Sequence, residues 1–240
     1  LGKETISARC VYTGRELWVR KIPGIGHPFT SIEHERLFRK GHEVYMPNHP
    51  GANFIGSPYV SLEDAVYVID GNRLLSVEPA TGDIVIEFRL PKISGIKIRE
   101  FGHIMVSGDH LITTIDPQIF DEGQPGKKDN WNATSSAFLL VMNRHSGKVL
   151  WTKKADKGFR HNAIVAGKSR LFAVDGLSEG VSRILQRRGE LEESGSRLLA
   201  FDLKTGTKLW SVDEKVFGTW LGLYEDKNIL LQGGRTGQRG

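Results

Sequence analysis

Side chains able to do acid–base, nucleophilic or ligand chemistry are scattered through this chain, and few of them stand in a recognisable pattern. His27, His34, His42 and His49 share one stretch with Pro23, Pro28, Pro47 and Pro50. Neutral imidazole is a common metal ligand, but these histidines recur every seven or eight residues, a spacing that fits no metal-binding motif. The stretch reads instead as an irregular insertion over residues 22–55 with a short edge strand at 43–46, and no metal is expected. Ser135-Ser136 and the histidines supply the atoms of a Ser/His/Asp hydrolase, yet no nucleophile motif surrounds them. The single cysteine, Cys10, excludes an internal disulfide framework and a multi-cysteine metal site.

The elements that would position any site are more legible. Residues 198–212 read as two short strands around a tight turn, with Leu199, Phe201 and Leu203 alternating on one side. Asp202 can fold its carboxylate back onto turn N–H groups, and Gly206 supplies the positive φ of a four-residue hairpin loop. Trp210 follows that glycine by four residues in the returning strand. The same frame recurs as Gly14 leading to Trp18, Gly147 leading to Trp151 and, imperfectly, Gly82 leading to Ile86. Self-similarity at steps of roughly sixty to seventy residues is the mark of a repeat architecture.

Taken in order, the strand-like segments give a leading second half-unit (5–21), three full four-stranded units (56–89, 102–154 and 160–213) and a trailing first half (218–232). Two further insertions, 117–136 and 177–196, fall between the second and third strands of their units. Val181, Ile184, Leu185 and Arg188 have helical spacing within the latter. A four-stranded antiparallel sheet cannot bury both faces alone, whereas radial stacking of such sheets does so and leaves only short edges. The expected fold is therefore all-β, a β-propeller of four-stranded antiparallel blades in one domain spanning 1–240. It holds about four blade equivalents, as an arc of a larger ring or closed by pairing of the two terminal half-units. Each tryptophan would lie between neighbouring blades.

Composition agrees with a soluble globular chain: 39% hydrophobic and 25% charged over 240 residues. No apolar run approaches a membrane span. The net charge of +5 raises nucleic acid as a partner, but Lys and Arg are spread singly over turns and edges, where they keep sheets soluble. The one basic group, Arg183 with Arg187 and Arg188, runs straight into Glu190, Glu192 and Glu193. Nucleic-acid binding is not expected.

The pattern Ala200-x-Asp202-x-x-Thr205-Gly206-x-x-x-Trp210 resembles the tryptophan-docking repeat of pyrroloquinoline-quinone-type propellers, the superfamily of the quinoprotein alcohol dehydrogenases and of the propeller lipoprotein of the outer-membrane assembly machinery. The match is good at 141–151 and 8–18 and partial at 76–86. The resemblance implies eight blades in the dehydrogenases, and export to the periplasm or cell surface. Those enzymes need a Ca²⁺ held by oxygen ligands, a carboxylate base, a tryptophan on the quinone and an adjacent cysteine pair, which one cysteine cannot supply. No cofactor is expected, quinone with calcium being the alternative. A ligand would sit at the mouth of the central channel, where inner strands begin with His103, with Arg160, His161 and Asn162, and with Trp220. Such a cluster suits an anionic or sugar-like group, or simply satisfies strand ends. The function expected is a non-catalytic scaffold that binds a partner protein or polymer such as a polysaccharide. The alternative is a fragment of a quinone-dependent oxidoreductase whose catalytic residues lie elsewhere.

Overall fold

The computed structural model describes residues 5–23, 59–97, 99–118, 135–177, 182, 185–190, 195–217 and 220–234. The histidine-bearing insertion, its edge strand at 43–46, and Val181 and Ile184 lie outside the described residues. Among the described residues the fold is all-β and propeller-like. A four-stranded antiparallel sheet runs in sequence order through β3 (Tyr59–Ser61), β4 (Val66–Asp70), β5 (Arg73–Val77) and β6 (Ile84–Arg89). The second blade is β7 (Phe101–Ser107), β8 (His110–Gln118), β9 (Ser135–Asn143) and the first half of β10 (Val149–Ala166). The third is the second half of β10 with β11 (Arg170–Asp175), β12 (Arg197–Asp202) and β13 (Lys208–Val212). Two hairpins flank them, β1 (Thr5–Arg9) with β2 (Glu16–Lys21) and β14 (Trp220–Tyr224) with β15 (Ile229–Gly233).

Blade-on-blade burial explains the residue pattern. The middle strands are apolar on both faces, because each face meets a different neighbour. On β9, Phe138, Leu140 and Met142 join Tyr67, Leu74 and Phe88 of the first blade, while Leu139 and Val141 join Leu171, Leu199 and Phe201 of the third. The flanking hairpins repeat this at the ends: Ile6 packs with Val66, Val68 and Leu75, and Leu221 with Phe172 and Val174. Each fully buried aliphatic side chain contributes about 1.5–3 kcal/mol.

One expectation is corrected. Separate strands were expected on either side of residues 155–159, but β10 runs unbroken from the outer edge of the second blade into the inner edge of the third, so the two blades share one seven-stranded sheet. The register shifts between Lys154 and Phe159. Asp175 holds that irregular stretch: its Oδ1 accepts the N–H groups of Lys157 and Gly158 at 2.9 Å, and its Oδ2 accepts that of Asp156 at 2.7 Å. A carboxylate taking three backbone donors meets the demand of a crossover that would otherwise leave them orphaned.

Candidate functional site

The recurring turn is built the same way four times. Gly14, Gly82, Gly147 and Gly206 have φ of 69°, 76°, 69° and 69°, the left-handed region that glycine enters without penalty. Each N–H donates to the carbonyl four residues back, on Cys10, Glu78, Asn143 and Asp202. Asp202 Oδ1 accepts both the N–H and the hydroxyl of Thr205 at 2.8 Å, and these bonds hold its carboxyl below the usual range.

The aromatic side chains meet these turns one blade along. The Trp18 ring covers Gly82 so closely that a Cβ there would lie 2.5 Å from it, and Trp151 covers Gly206 at 2.6 Å. Both indoles donate Nε1–H at 2.8 Å to the carbonyl three residues before the glycine, on Pro79 and on Leu203. At Gly147 the expected aliphatic partner, Ile86, is not the residue in contact. Phe88, two residues further along the same strand face, puts its ring 2.5 Å from a Cβ at Gly147, and Ile86 packs at the margin of that cluster. Phenylalanine has no N–H to give, and the equivalent carbonyl, on Arg144, accepts the Tyr67 hydroxyl at 3.2 Å instead. Two residues divide what one indole does elsewhere. Trp210, expected between blades, is 39% exposed. It packs on Phe172, and no turn glycine lies against it among the described residues.

A second cluster lies where the inner strands of the second and third blades begin. His103 and His161 stack with ring centroids 6.0 Å apart. His161 Nε2 is 2.7 Å from Ser136 Oγ, which donates to Thr114 Oγ1 at 3.0 Å, and that hydroxyl accepts the His103 N–H at 2.8 Å. Thr113 Oγ1 donates to the His103 carbonyl at 2.6 Å. Gly102 makes room, since a Cβ there would strike Ser136, Thr114 and His161 together. Burial pushes the His103 imidazole down to about 4, and its Nδ1 has no hydrogen-bond partner among the described residues. Burial likewise lowers the Arg160 guanidinium and raises the Glu100 carboxyl to about 7. A serine on an imidazole is the pairing nucleophilic catalysis uses. Here Ser136 and His161 are each 0% exposed, and the hydroxyl is bonded inward to Thr114.

Of the channel-mouth residues expected from the sequence, His103 and His161 are brought together and Arg160 is buried near them in the chain. Asn162 is half-buried. Trp220 stands apart: exposed, with its ring against Gly233 of its own hairpin. Ser136, named from the sequence only as a hydrolase atom without a motif, is the hydroxyl that meets His161; Thr114, Gly102, Tyr67 and Phe88 were not foreseen. Phe88 had a readable signal, an aromatic two positions from the degenerate docking residue; the hydroxyl-bearing residues had none.

The residues near the inner strands offer imidazole, hydroxyl and guanidinium groups and, at Glu100, a carboxyl. Among the described residues no three His, Cys, Asp or Glu side chains converge as a metal site. The family model described as outer membrane protein assembly factor BamB matches residues 114–233, half of the chain. The chain belongs to that family. The family lies in the PQQ-like propeller superfamily. A search among curated proteins gave no match. Solved structures similar to the chain include BamB from Moraxella catarrhalis, at 15% identity over 88% of this chain and 47% of that one, with a TM-score of 0.46. Quinohemoprotein alcohol dehydrogenase from Comamonas testosteroni matches at 12% identity over 89% of this chain and 32% of that one, TM-score 0.49. A europium-containing methanol dehydrogenase matches at 15% identity over 65% of this chain and 24% of that one, TM-score 0.41. The chain spans less than half the length of each. No helix among the described residues is long and apolar enough to cross a membrane.

Proposed function

We propose that the chain is a non-catalytic propeller scaffold that binds a protein partner in the periplasm, in the manner of the assembly factors whose family it shares. The observation that carries this reading is the fate of its reactive groups. The Ser136–His161 pair is sealed from solvent and bonded inward, tying β9 to β10. Buried polar groups that satisfy one another fix a unique packing. What the surface offers is apolar: Leu209, Trp210 and Val212 on β13, and Leu17 and Val19 on β2, are exposed large hydrophobics on outer strands. Exposed apolar side chains on outer strands are the kind of surface that a protein partner covers.

The test is cross-linking of the tagged chain in envelopes of a bacterium that encodes it, followed by mass spectrometry, with a Leu209→Asp/Val212→Asp variant in parallel. Enrichment of outer-membrane assembly components by the parent and not by the variant is expected. Equal recovery by both would overturn the reading, as would quinone- and calcium-dependent dye reduction with an alcohol, the outcome that the oxidoreductase alternative requires.

A further inference from the structure

Three blade-to-blade connections among the described residues differ in charge. The link from the second blade to the third, inside β10, holds Asp156 and Lys157, and both are engaged. Asp156 Oδ2 accepts from Arg197 at 2.8 Å, and Lys157 Nζ donates to the Gly195 carbonyl at 3.1 Å. The link after β13 sets Asp213 and Glu214 against Lys215. The link from the first blade to the second is cationic. Arg89 ends β6, and Lys92, Lys97 and Arg99 follow it, all exposed. Glu100 is the one carboxyl of that run; burial raises it to about 7, so it offsets only part of the charge.

Part of this cationic run borders a concave surface. Asn72 of the β4–β5 turn, Arg89, Leu90 and Arg99 line a groove of about 190 Å³. These segments meet because the Phe101 N–H donates to the Gly71 carbonyl at 2.9 Å, drawing the end of the link onto the turn. The nearby carboxylates are already committed. Asp70 and one oxygen of Glu87 pair with Arg73, and the other oxygen of Glu87 takes Arg89 at 2.7 Å. Arg89 keeps N–H groups beyond those this contact uses. Arg99 makes no hydrogen bond or ion pair among the described residues, and no carboxylate among them lines the groove. A concave surface of one sign of charge concentrates counter-ions.

The donors on offer are two guanidinium forks and a carboxamide NH₂. A carboxylate presents two coplanar oxygens, which a single fork satisfies. A phosphoryl group presents three terminal oxygens in a tetrahedron, enough for both forks and the amide. We infer that the groove between the first and second blades is a binding site for a phosphoryl group, held by Arg89 and Arg99 with the Asn72 amide as third donor. Both blades that flank it have all four strands, and the site is separate from the apolar surface on β2 and β13.

The experiment is isothermal titration calorimetry of inorganic phosphate into the 240-residue chain and into three single variants: Arg99→Gln, Arg89→Gln and Lys154→Gln. Lys154, an exposed cation on the next outer strand, controls for net charge. The expected result is saturable binding by the parent, weakened roughly tenfold or more by either arginine variant and unchanged by Lys154→Gln. All three side chains are exposed, so the far-UV circular dichroism of each variant should match the parent. Acetate, titrated in parallel, should bind more weakly than phosphate. Sedimentation with phosphatidylcholine vesicles, with and without phosphatidic acid, separates the sources of the group. Co-sedimentation that needs both phosphatidic acid and Arg99 assigns a lipid headgroup, and phosphate binding without it assigns a soluble ligand. No saturable phosphate binding by the parent, equal weakening by Lys154→Gln, or acetate bound as tightly as phosphate would each overturn the proposal.

Discussion

Trp151 and Trp210 occupy the same station of the same repeat, one blade apart, and the molecule treats them differently. Trp151 is 8% exposed, with its ring on Gly206 and its N–H bonded to Leu203. Trp210 is 39% exposed, beside a groove with no glycine turn against it among the described residues. The motif therefore does not bury its own tryptophan. Burial comes from the turn of the following blade, so the joint is a property of two blades and its energy is absent wherever the second half is missing. The first-to-second blade joint sharpens this, because Phe88 and Tyr67 reproduce ring and hydrogen bond without an indole.

The largest effect that separates the two stations is truncation. Trp151→Ala should cost about 3–5 kcal/mol in urea unfolding, as large aromatic deletions from cores do, whereas Trp210→Ala should cost about 1 kcal/mol or less. Equal losses would break the comparison. Acid should act next, on the buried histidine cluster. His103 is buried neutral, with its imidazole pushed from 6.5 to about 4, so between those values the unfolded chain holds the extra proton. Stability should fall as pH drops from about 6.5 to about 4, by about 3 kcal/mol in all, and flatten below that. Glu100, held up to about 7 by burial, works oppositely, losing stability as pH rises toward 7. The His103 contribution is isolated as the difference between parent and His103→Asn; parallel pH profiles would contradict it.

A smaller effect distinguishes the turns. Gly206→Ala drives a methyl into the Trp151 ring and also carries the left-handed penalty, together about 2–3 kcal/mol. Gly14→Ala, with open space around it, should cost only the backbone term of about 1 kcal/mol. Similar in size to that backbone term, Tyr67→Phe should lose about 1 kcal/mol through the Arg144 carbonyl left without its donor, measurable in the same unfolding assay.

The strands and turns of this chain were legible because each rests on a local rule. Alternation over Leu199, Phe201 and Leu203, and glycines that need positive φ, act within a few residues, and they locate β12, β13 and the joints. The continuity of β10 was not legible, since it depends on Asp175 reaching back to residues 156–158 from another strand. The histidine cluster was legible only in part. His103 and His161 follow from their place at the start of inner strands, but Thr114 and Ser136 are ordinary strand residues, and Gly102 matters because of what three distant side chains do around it. The Ile86 station misled for a related reason: the strand face repeats every two residues, so Phe88 could take the contact that fixed spacing assigned to Ile86.

The claim that ring and glycine form one unit is tested most directly by a double-mutant cycle on Trp151→Ala and Gly206→Ala, read by equilibrium unfolding. With the indole gone the added methyl strikes nothing, so the cost of Gly206→Ala should shrink to the backbone term of about 1 kcal/mol. If the two losses simply add, the ring and the turn are independent and the account of the joint is wrong.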